Sequence, residues 1–295
     1  MKKYNRTIIA IRGDTQGGYA GGLLNPDTLL PDIAIDDAGE NIIEGWRRLE
    51  LRPVQQKLWE WHKKYIKEVS KLSEGDDIIF VEMGDLTQGN IFKDDLDVNN
   101  LNTQVVISRY NTMPWLELQN LKSAYFVTGT GVHVWGEGST ERLLTAQLKV
   151  MYPHIKIKIN DHYMLDVDGV HLDVAHHGPG PGIRNWTYGN VLELYAKSIM
   201  RDSIDLQEPV PDAIIRAHKH QFTYRPVIHQ VRNKMWESKV FITPPMCFIG
   251  SHALKVMNSP SYMGVGVLAL EIINGKIHAW YPFNNYVDLR TKEIV

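Results

Sequence analysis

Residues 77–89, which read DIIFVEMGDLTQG, contain the pattern that decides the fold. A short apolar run ends in Met83-Gly84-Asp85, and an apolar run of this length that stops at a turn residue is typical of a buried β-strand. A carboxylate directly after such a strand lies at the edge of a sheet. The segment therefore predicts a strand that delivers Asp85 to a site at that edge.

The same arrangement occurs at four other places in the chain. Apolar runs at residues 7–11, 124–128, 171–175 and 213–216 are each followed at once by chemically reactive or turn-forming residues. These followers are Gly13-Asp14, Gly129-Thr130, His176-His177 and His218-Lys219-His220. Five repeats predict that several strands bring these side chains to one edge of a sheet.

Helical patterns separate the strand segments over the first 220 residues. One helix begins at Pro53, a second is capped by Ser139 or Thr140, and a third has apolar positions at helical spacing over residues 191–199. Residues 12–40, rich in Gly, Asp and Pro, indicate a long loop. After residue 220 only strand-like runs occur, at 240–243, 265–273 and 276–281.

This order predicts an α/β protein in which a mixed, two-sheet β sandwich is flanked by helices. We expect a single domain over residues 1–295, with its motifs in 8–221 and C-terminal antiparallel strands in 222–295. One domain is favoured because sheets wrapped in helices often exceed 200 residues.

Composition narrows the classes of function. Thirty-two Lys and Arg balance 34 Asp and Glu, so no overall positive field attracts nucleic acid or anionic lipid. The single Cys247 excludes a disulfide framework and a four-cysteine metal cluster, and it fits a reducing cytoplasm. The chain has no apolar stretch of 18 residues, and its first apolar run is too short for a signal peptide. We therefore expect a cytoplasmic protein without a membrane partner; its oligomeric state stays open.

Imidazoles and carboxylates concentrate at the strand ends. Eight of the twelve His lie between residues 133 and 220, and His is the commonest transition-metal ligand. His218 and His220 form an H-x-H pair, which in extended structure sends both imidazoles to one face. Asp14 and Asp85 at neighbouring strand ends repel unless cations lie between them, as in a two-metal phosphate site. Together these residues predict a metal centre.

The ordered set of motifs resembles the calcineurin-like metallophosphoesterase superfamily, in a phage- or prophage-like branch. The matching blocks are Gly13-Asp14-Thr15-Gln16, Gly84-Asp85 with Gly89, Gly129-Thr130 with His133, His177-Gly178, and His218-Lys219-His220. The resemblance spans residues 8–221. It implies the two-sheet fold, hydrolysis of phosphate esters, and two divalent metal ions, with Mn²⁺ the first choice and Zn²⁺, Fe²⁺ or Mg²⁺ as alternatives.

The resemblance also implies roles for individual residues. One ion would be bound by Asp14, Asp85 and His220, and the other by Asp85, His177 and His218, so that Asp85 bridges them and is essential for catalysis. Two variant positions are Gln16, which replaces a His ligand, and Thr130, which replaces an Asn ligand.

Three further assignments follow, the first from the same resemblance, the second from strand geometry and the third from the chemistry of the guanidinium group. His133 comes two residues later than the family's His and is assigned as general acid for the leaving group. His176 is the alternative to His177, since neighbouring residues on a strand point oppositely and only one should reach the metal. Arg142 and Arg184 are candidate clamps for the substrate phosphate.

The leading hypothesis is a dinuclear phosphodiesterase or nuclease that uses a metal-activated hydroxide for in-line attack on phosphorus, with DNA or RNA as candidate substrates. A phosphomonoesterase, including a protein phosphatase, and a nucleotide pyrophosphohydrolase are alternatives within the enzymes. A hypothesis from a different class of function is a binding module that keeps the fold but has a catalytically degenerate site. Gln16 and Thr130, which replace the usual ligands, would be the signs of that degeneration.

Overall fold

The computed structural model describes residues 5–35, 39–91, 95–133, 139–182, 187–250, 262–290 and 293. These residues form four α-helices: α1 (Pro53–Ser73), α2 (Leu101–Leu116), α3 (Thr140–Met151) and α4 (Asn190–Leu206). They also form thirteen strands: β1 (Arg6–Arg12), β2 (Leu29–Ile35), β3 (Asn41–Arg48), β4 (Asp77–Glu82), β5 (Leu121–Val127), β6 (Lys156–Asn160), β7 (His162–Val167), β8 (Val170–Ala175), β9 (Ala213–Arg216), β10 (Thr223–Val231), β11 (Lys234–Ile242), β12 (Tyr262–Ile273) and β13 (Lys276–Asp288).

Two mixed sheets form the body of the protein. The six-stranded sheet has the order β13-β12-β1-β4-β5-β6, in which β1, β4, β5 and β6 run parallel and β12 pairs antiparallel with both β1 and β13. The five-stranded sheet has the order β10-β11-β9-β8-β7, with parallel β8, β9 and β11 at its centre. Strands β2 and β3 pair only with each other among the described strands.

The sheets pack face to face, with helices on both outer faces. Ile9, Ile11 and Val81 of the first sheet share one buried cluster with Leu172 and Ile215 of the second. Alternate residues of the same strands turn the other way, into a cluster with the helices α1, α2 and α3. Helix α4 covers the outer face of the five-stranded sheet. The predicted mixed β sandwich flanked by helices is confirmed.

Strand β1 shows why the sequence pattern worked. Ile8, Ile9, Ala10 and Ile11 are all fully buried, since one side of the strand faces α1 and the other faces the second sheet. A strand buried on both faces reads as a continuous apolar run instead of alternating. That run is also why the end of the strand is easy to recognise.

The prediction of a long loop over residues 12–40 is wrong in its second half. Residues 29–35 form β2, which pairs with β3 in an antiparallel hairpin. Helix α2 was not predicted; it contains Pro114, and the side chain of its N-cap, Asn100, accepts a hydrogen bond from the Thr103 backbone N–H. Apolar and polar residues are mixed on both faces of α2, so its apolar residues show little helical periodicity in the sequence.

A buried ion pair joins β1 to β4 directly below the strand ends. Arg12 and Glu82 are opposite each other in the parallel register, and both side chains are fully buried. The Arg12 Nε donates to Glu82 Oε2 at 2.6 Å, and its Nη groups donate to Asn111 O (2.8 Å) and Thr112 Oγ1 (2.9 Å). The pair therefore fixes the relative position of the two strands that carry Asp14 and Asp85.

Among the helices of the described ranges, none combines the length and apolar character that crossing a membrane requires.

Candidate metal centre

Five strands end at one place and bring the predicted motifs together. Residues beyond β1, β4, β5, β8 and β9 supply Asp14, Asp85, Thr130, His176 and His218. Backbone hydrogen bonds join the segments that follow these strands. The Asp14 N–H donates to Gly84 O at 3.0 Å, and the Ala217 N–H donates to His176 O at 2.9 Å. The side-chain positions are therefore set by the sheet framework.

The backbone is strained at the residues that carry the donors. Asp14, Asp85 and His218 have φ values of 53°, 52° and 67°, in the left-handed region that costs side-chain-bearing residues energy. Such strain persists only where the surrounding structure imposes it, and it concentrates at functional sites. The turns after β1, β4 and β9 therefore aim these side chains inward at a cost in stability.

Asp85 lies at the middle of the cluster and is almost fully buried. Its Oδ2 is 3.0 Å from His176 Nε2, 3.6 Å from His133 Nε2 and 3.8 Å from His218 Nδ1. Thr130 donates to the same carboxylate from its backbone N–H at 2.5 Å and from its hydroxyl at 3.1 Å. Gly129 is required here, because an added Cβ would collide with Asp85 Oδ1. Among the described donors, Asp85 is thus the one that faces several imidazoles at once, and its role as a bridging ligand stays a prediction.

Asp14 forms the other half of the cluster, together with His220 and Gln16. The Asp14 Oδ1 is buried and accepts no hydrogen bond from the described residues, although His220 Nε2 lies 3.3 Å away. The amide end of Gln16 lies 3.5 Å from the same His220 nitrogen. Behind the imidazole, Cys247 Sγ is 3.9 Å from His220 Nδ1.

Both imidazoles of the His176-His177 pair come within reach of a shared ion. The ligand atoms of His176, His177 and His218 lie within 4.8 Å of one another, and so do those of Asp14, Asp85 and His176. The expected alternation does not apply, because β8 ends at Ala175. His176, which was expected only as the alternative to His177, is the residue common to both groups.

His176 also has the geometry of an oriented ligand. Its Nδ1 donates to Met83 O at 2.6 Å, which leaves Nε2 as the ring nitrogen that faces Asp85. Metal-ligating histidines characteristically donate their second ring N–H to a carbonyl or carboxylate. The sequence carries a partial signal for this, since His176 is the first residue after the strand.

The carboxylates and imidazoles of the site shift one another's pKa values. Burial by itself would raise the pKa of Asp85, but the imidazoles of His176, His218 and His133 hold that pKa well below its usual range. Burial lowers the pKa of His176, whereas Asp85 and Asp14 outweigh it and raise the pKa to about 9. The buried carboxylates thus favour positive charge beside them.

These features fit divalent cations. The Asp14 Oδ1 is a buried carboxylate oxygen without a hydrogen-bond donor in the described part of the chain, and a cation would satisfy it. Asp and His are ordinary ligands for Mn²⁺, Zn²⁺ and Fe²⁺. Two donor groups that share His176 lie side by side, so the residues present can hold metal.

The remaining predicted site residues have different surroundings. His133 is buried, and its Nδ1 donates to Gln88 O at 2.6 Å while its Nε2 faces Asp85. Arg142 is half exposed and donates to Asp161 Oδ1 at 2.7 Å, in a surface ion pair that also receives the Thr128 hydroxyl. Arg184 lies outside the described residues.

Comparison with known proteins found no matching family model and no matching curated protein. Among solved structures, an uncharacterised protein from Streptococcus pneumoniae TIGR4, described as a predicted phosphoesterase, is 8% identical, with 96% of this chain and 98% of that chain covered and a TM-score of 0.31. A protein of unknown function from Aquifex aeolicus is 12% identical, with 72% and 80% covered and a TM-score of 0.30. A 5'-nucleotidase from Candida albicans SC5314 is 12% identical, with 98% and 53% covered and a TM-score of 0.33. TM-scores this low carry no argument about activity, so the functional argument rests on the geometry of the site.

Proposed function

We propose that this chain is a dinuclear metal-dependent phosphoesterase that acts on phosphodiesters, with DNA or RNA as candidate substrates. The observation that carries the proposal is the pair of buried carboxylates, Asp14 and Asp85, whose ligand atoms lie within 4.8 Å of one another and of His176. Paired carboxylates that share an imidazole at the ends of parallel strands are suited to two neighbouring divalent ions.

In this proposal the ligands are divided between two ions. Asp14, Gln16 and His220 would hold the first ion, Asp85 would contact both, and Thr130, His218 and one or both of His176 and His177 would hold the second. When bound, the ions would polarise the phosphate oxygens and lower the pKa of the attacking water. The carboxylates would hold the ions in place, and the imidazoles would supply the remaining protein ligands.

His133 is suited to the general-acid role. The Gln88 carbonyl accepts the hydrogen bond from Nδ1, so Nε2 is the ring nitrogen that faces the site. Nε2 lies 3.6 Å from Asp85 Oδ2, so it would lie near any ion bound to that carboxylate. A protonated Nε2 can pass its proton to the leaving oxygen. Arg142 and Arg184 remain candidate phosphate contacts.

The test compares hydrolysis of bis-p-nitrophenyl phosphate and p-nitrophenyl phosphate in the presence of Mn²⁺. The variants are Asp85→Asn, which keeps the shape of the side chain and removes its charge, and Asp202→Asn, an exposed control on α4. We expect diester hydrolysis by the wild type and the control, with loss of activity in Asp85→Asn. Native circular dichroism of Asp85→Asn would show that the fold is kept.

Other outcomes separate the alternatives. Preference for the monoester would favour a phosphomonoesterase, and activity only on nucleotide anhydrides would favour a pyrophosphohydrolase. Metal binding without turnover of any ester, with Mn²⁺, Zn²⁺ and Mg²⁺ each tried, would indicate a binding module. A His133→Ala protein with full turnover and full metal content would refute the role of His133 as the acid.

A further inference from the structure

We propose that the two halves of the centre select different classes of divalent ion. The imidazole-rich half, formed by His176, His177 and His218 with Asp85, binds a zinc-class ion tightly. The half formed by Asp14, Gln16 and His220 binds a hard ion, Mn²⁺ or Mg²⁺, weakly and in exchange with solution. This inference rests on the proposed function, because it assigns the ions of the same site.

The first half is rich in nitrogen donors. The ring centroids of His177 and His218 are 4.7 Å apart, and those of His176 and His218 are 5.3 Å apart. The Thr130 hydroxyl lies among them, 3.2 Å from His176 Nε2 and 3.1 Å from His218 Nδ1. Several imidazoles with one carboxylate form a donor set that suits zinc. A neutral hydroxyl adds little, so the imidazoles determine the affinity.

The second half is rich in oxygen donors, because Gln16 contributes an amide. The only imidazole that contacts Asp14 Oδ1 within the described ranges is that of His220. The Gln16 amide end is already next to this imidazole, and either its oxygen or its nitrogen can face the ion after rotation of the amide group. An amide oxygen is neutral and suits hard cations better than zinc-class ions.

Backbone hydrogen bonds hold Gln16 in place at a left-handed φ of 46°. Its N–H donates to Asp85 O at 3.0 Å, and the next N–H, from Gly17, donates to Leu86 O at 2.7 Å. Gly22 packs against the Gln16 carbonyl so closely that an added Cβ would collide with it. A substitution at residue 16 therefore changes the donor atom without changing the course of the loop.

The experiment measures metal content, independently of turnover. Zn²⁺ is titrated into chelator-stripped protein by equilibrium dialysis with elemental analysis of the bound metal. We expect two steps, the second weaker than the first by on the order of tenfold or more. After one equivalent of Zn²⁺, added Mn²⁺ should give one bound Mn²⁺ with the electron paramagnetic resonance spectrum of an isolated ion.

Three variants identify the residue responsible. Gln16→His should bring the second Zn²⁺ step close to the first and reduce Mn²⁺ binding. Gln16→Met, which has similar volume but no oxygen, should lose the second ion altogether. Gln56→His, on the exposed face of α1, controls for an added imidazole and should behave as the wild type.

Two results would overturn the inference. One is a wild-type protein that binds two Zn²⁺ in a single step, and the other is a Gln16→His variant whose second step is unchanged. Either result leaves the phosphoesterase proposal intact if the diester is hydrolysed. Conversely, two Zn²⁺-binding steps of unequal affinity, with no hydrolysis of the esters, would refute the enzyme proposal. They would support the inference that the two halves of the centre bind metal differently.

Discussion

Replacing Arg12 with methionine should destabilise the protein by removing a buried charge from beneath the metal centre. The Arg12 guanidinium is fully buried and donates to Glu82, Asn111 and Thr112. Methionine fills similar space but leaves the Glu82 carboxylate buried without its cation. Removing one partner of a buried ion pair costs about 3–5 kcal/mol, so we expect a loss of that size in the free energy of unfolding.

The size of this loss should depend on pH. Burial already raises the pKa of Glu82 to about 7 despite the opposing effect of Arg12, and removing Arg12 raises it further. A carboxyl whose pKa is higher in the folded state contributes stability below its unfolded pKa, and that contribution is lost as pH rises through the folded pKa. Above pH 7 the wild type loses little more of this contribution to stability. The free energy of unfolding of Arg12→Met should instead keep falling by about 1.4 kcal/mol per pH unit.

Two pH values test this reasoning by urea unfolding followed through tryptophan fluorescence. From pH 7 to pH 8.5 the deficit of Arg12→Met should grow by up to about 2 kcal/mol. His62, which contacts Arg12, does not titrate in this range, since burial holds its pKa well below the usual value. Combining Arg12→Met with Glu82→Leu should recover much of the loss, because no unpaired charge remains.

The control is Arg201→Met, which removes an exposed ion pair on α4 and should change the free energy of unfolding by less than about 0.5 kcal/mol. A deficit of Arg12→Met below about 1 kcal/mol would refute the reasoning. So would a deficit that is the same at both pH values, or a double variant that is less stable than the single one.

Two other substitutions test the site and its support. Gly129→Ala should lose bound metal, because the added Cβ collides with both the carboxylate and the backbone nitrogen of Asp85 and displaces that residue; normal metal content would contradict this. Asp173→Asn should cost about 3 kcal/mol at neutral pH, because it breaks a buried pair with Arg216 at 2.6 Å. Burial opposes ionisation of Asp173, but His162 and Arg216 lower its pKa below 3.8, so this stability is present above pH 4 and lost as pH falls through the lowered pKa. Urea unfolding should show the stabilities of wild type and Asp173→Asn converging in acid; a constant difference would rule out the charged pair.

Much of the architecture could be predicted because the central strands are buried on both faces. Residues 213–216 were predicted as a strand and form β9, and Pro53 begins α1 as expected. The hairpin of β2 and β3 was not predicted. Its Ile33 and Ile43 are exposed, so packing against the core does not impose a regular apolar pattern on these strands. Helix α2 was missed because its burial comes from neighbouring elements and not from an apolar stripe.

The order of the motifs in the sequence determined which residue types meet at the strand ends. That Asp14, Asp85 and His218 belong to one cluster follows from parallel strands ending at the same edge of a sheet. Their separations and their partners depend on the packing of one sheet against the other, which no local pattern encodes. Only the tertiary structure showed that His176 contacts Asp85 while its second nitrogen is held by Met83 O. The reason is physical: strand periodicity ends with the strand, and beyond it the direction of a side chain is set by contacts distant in sequence.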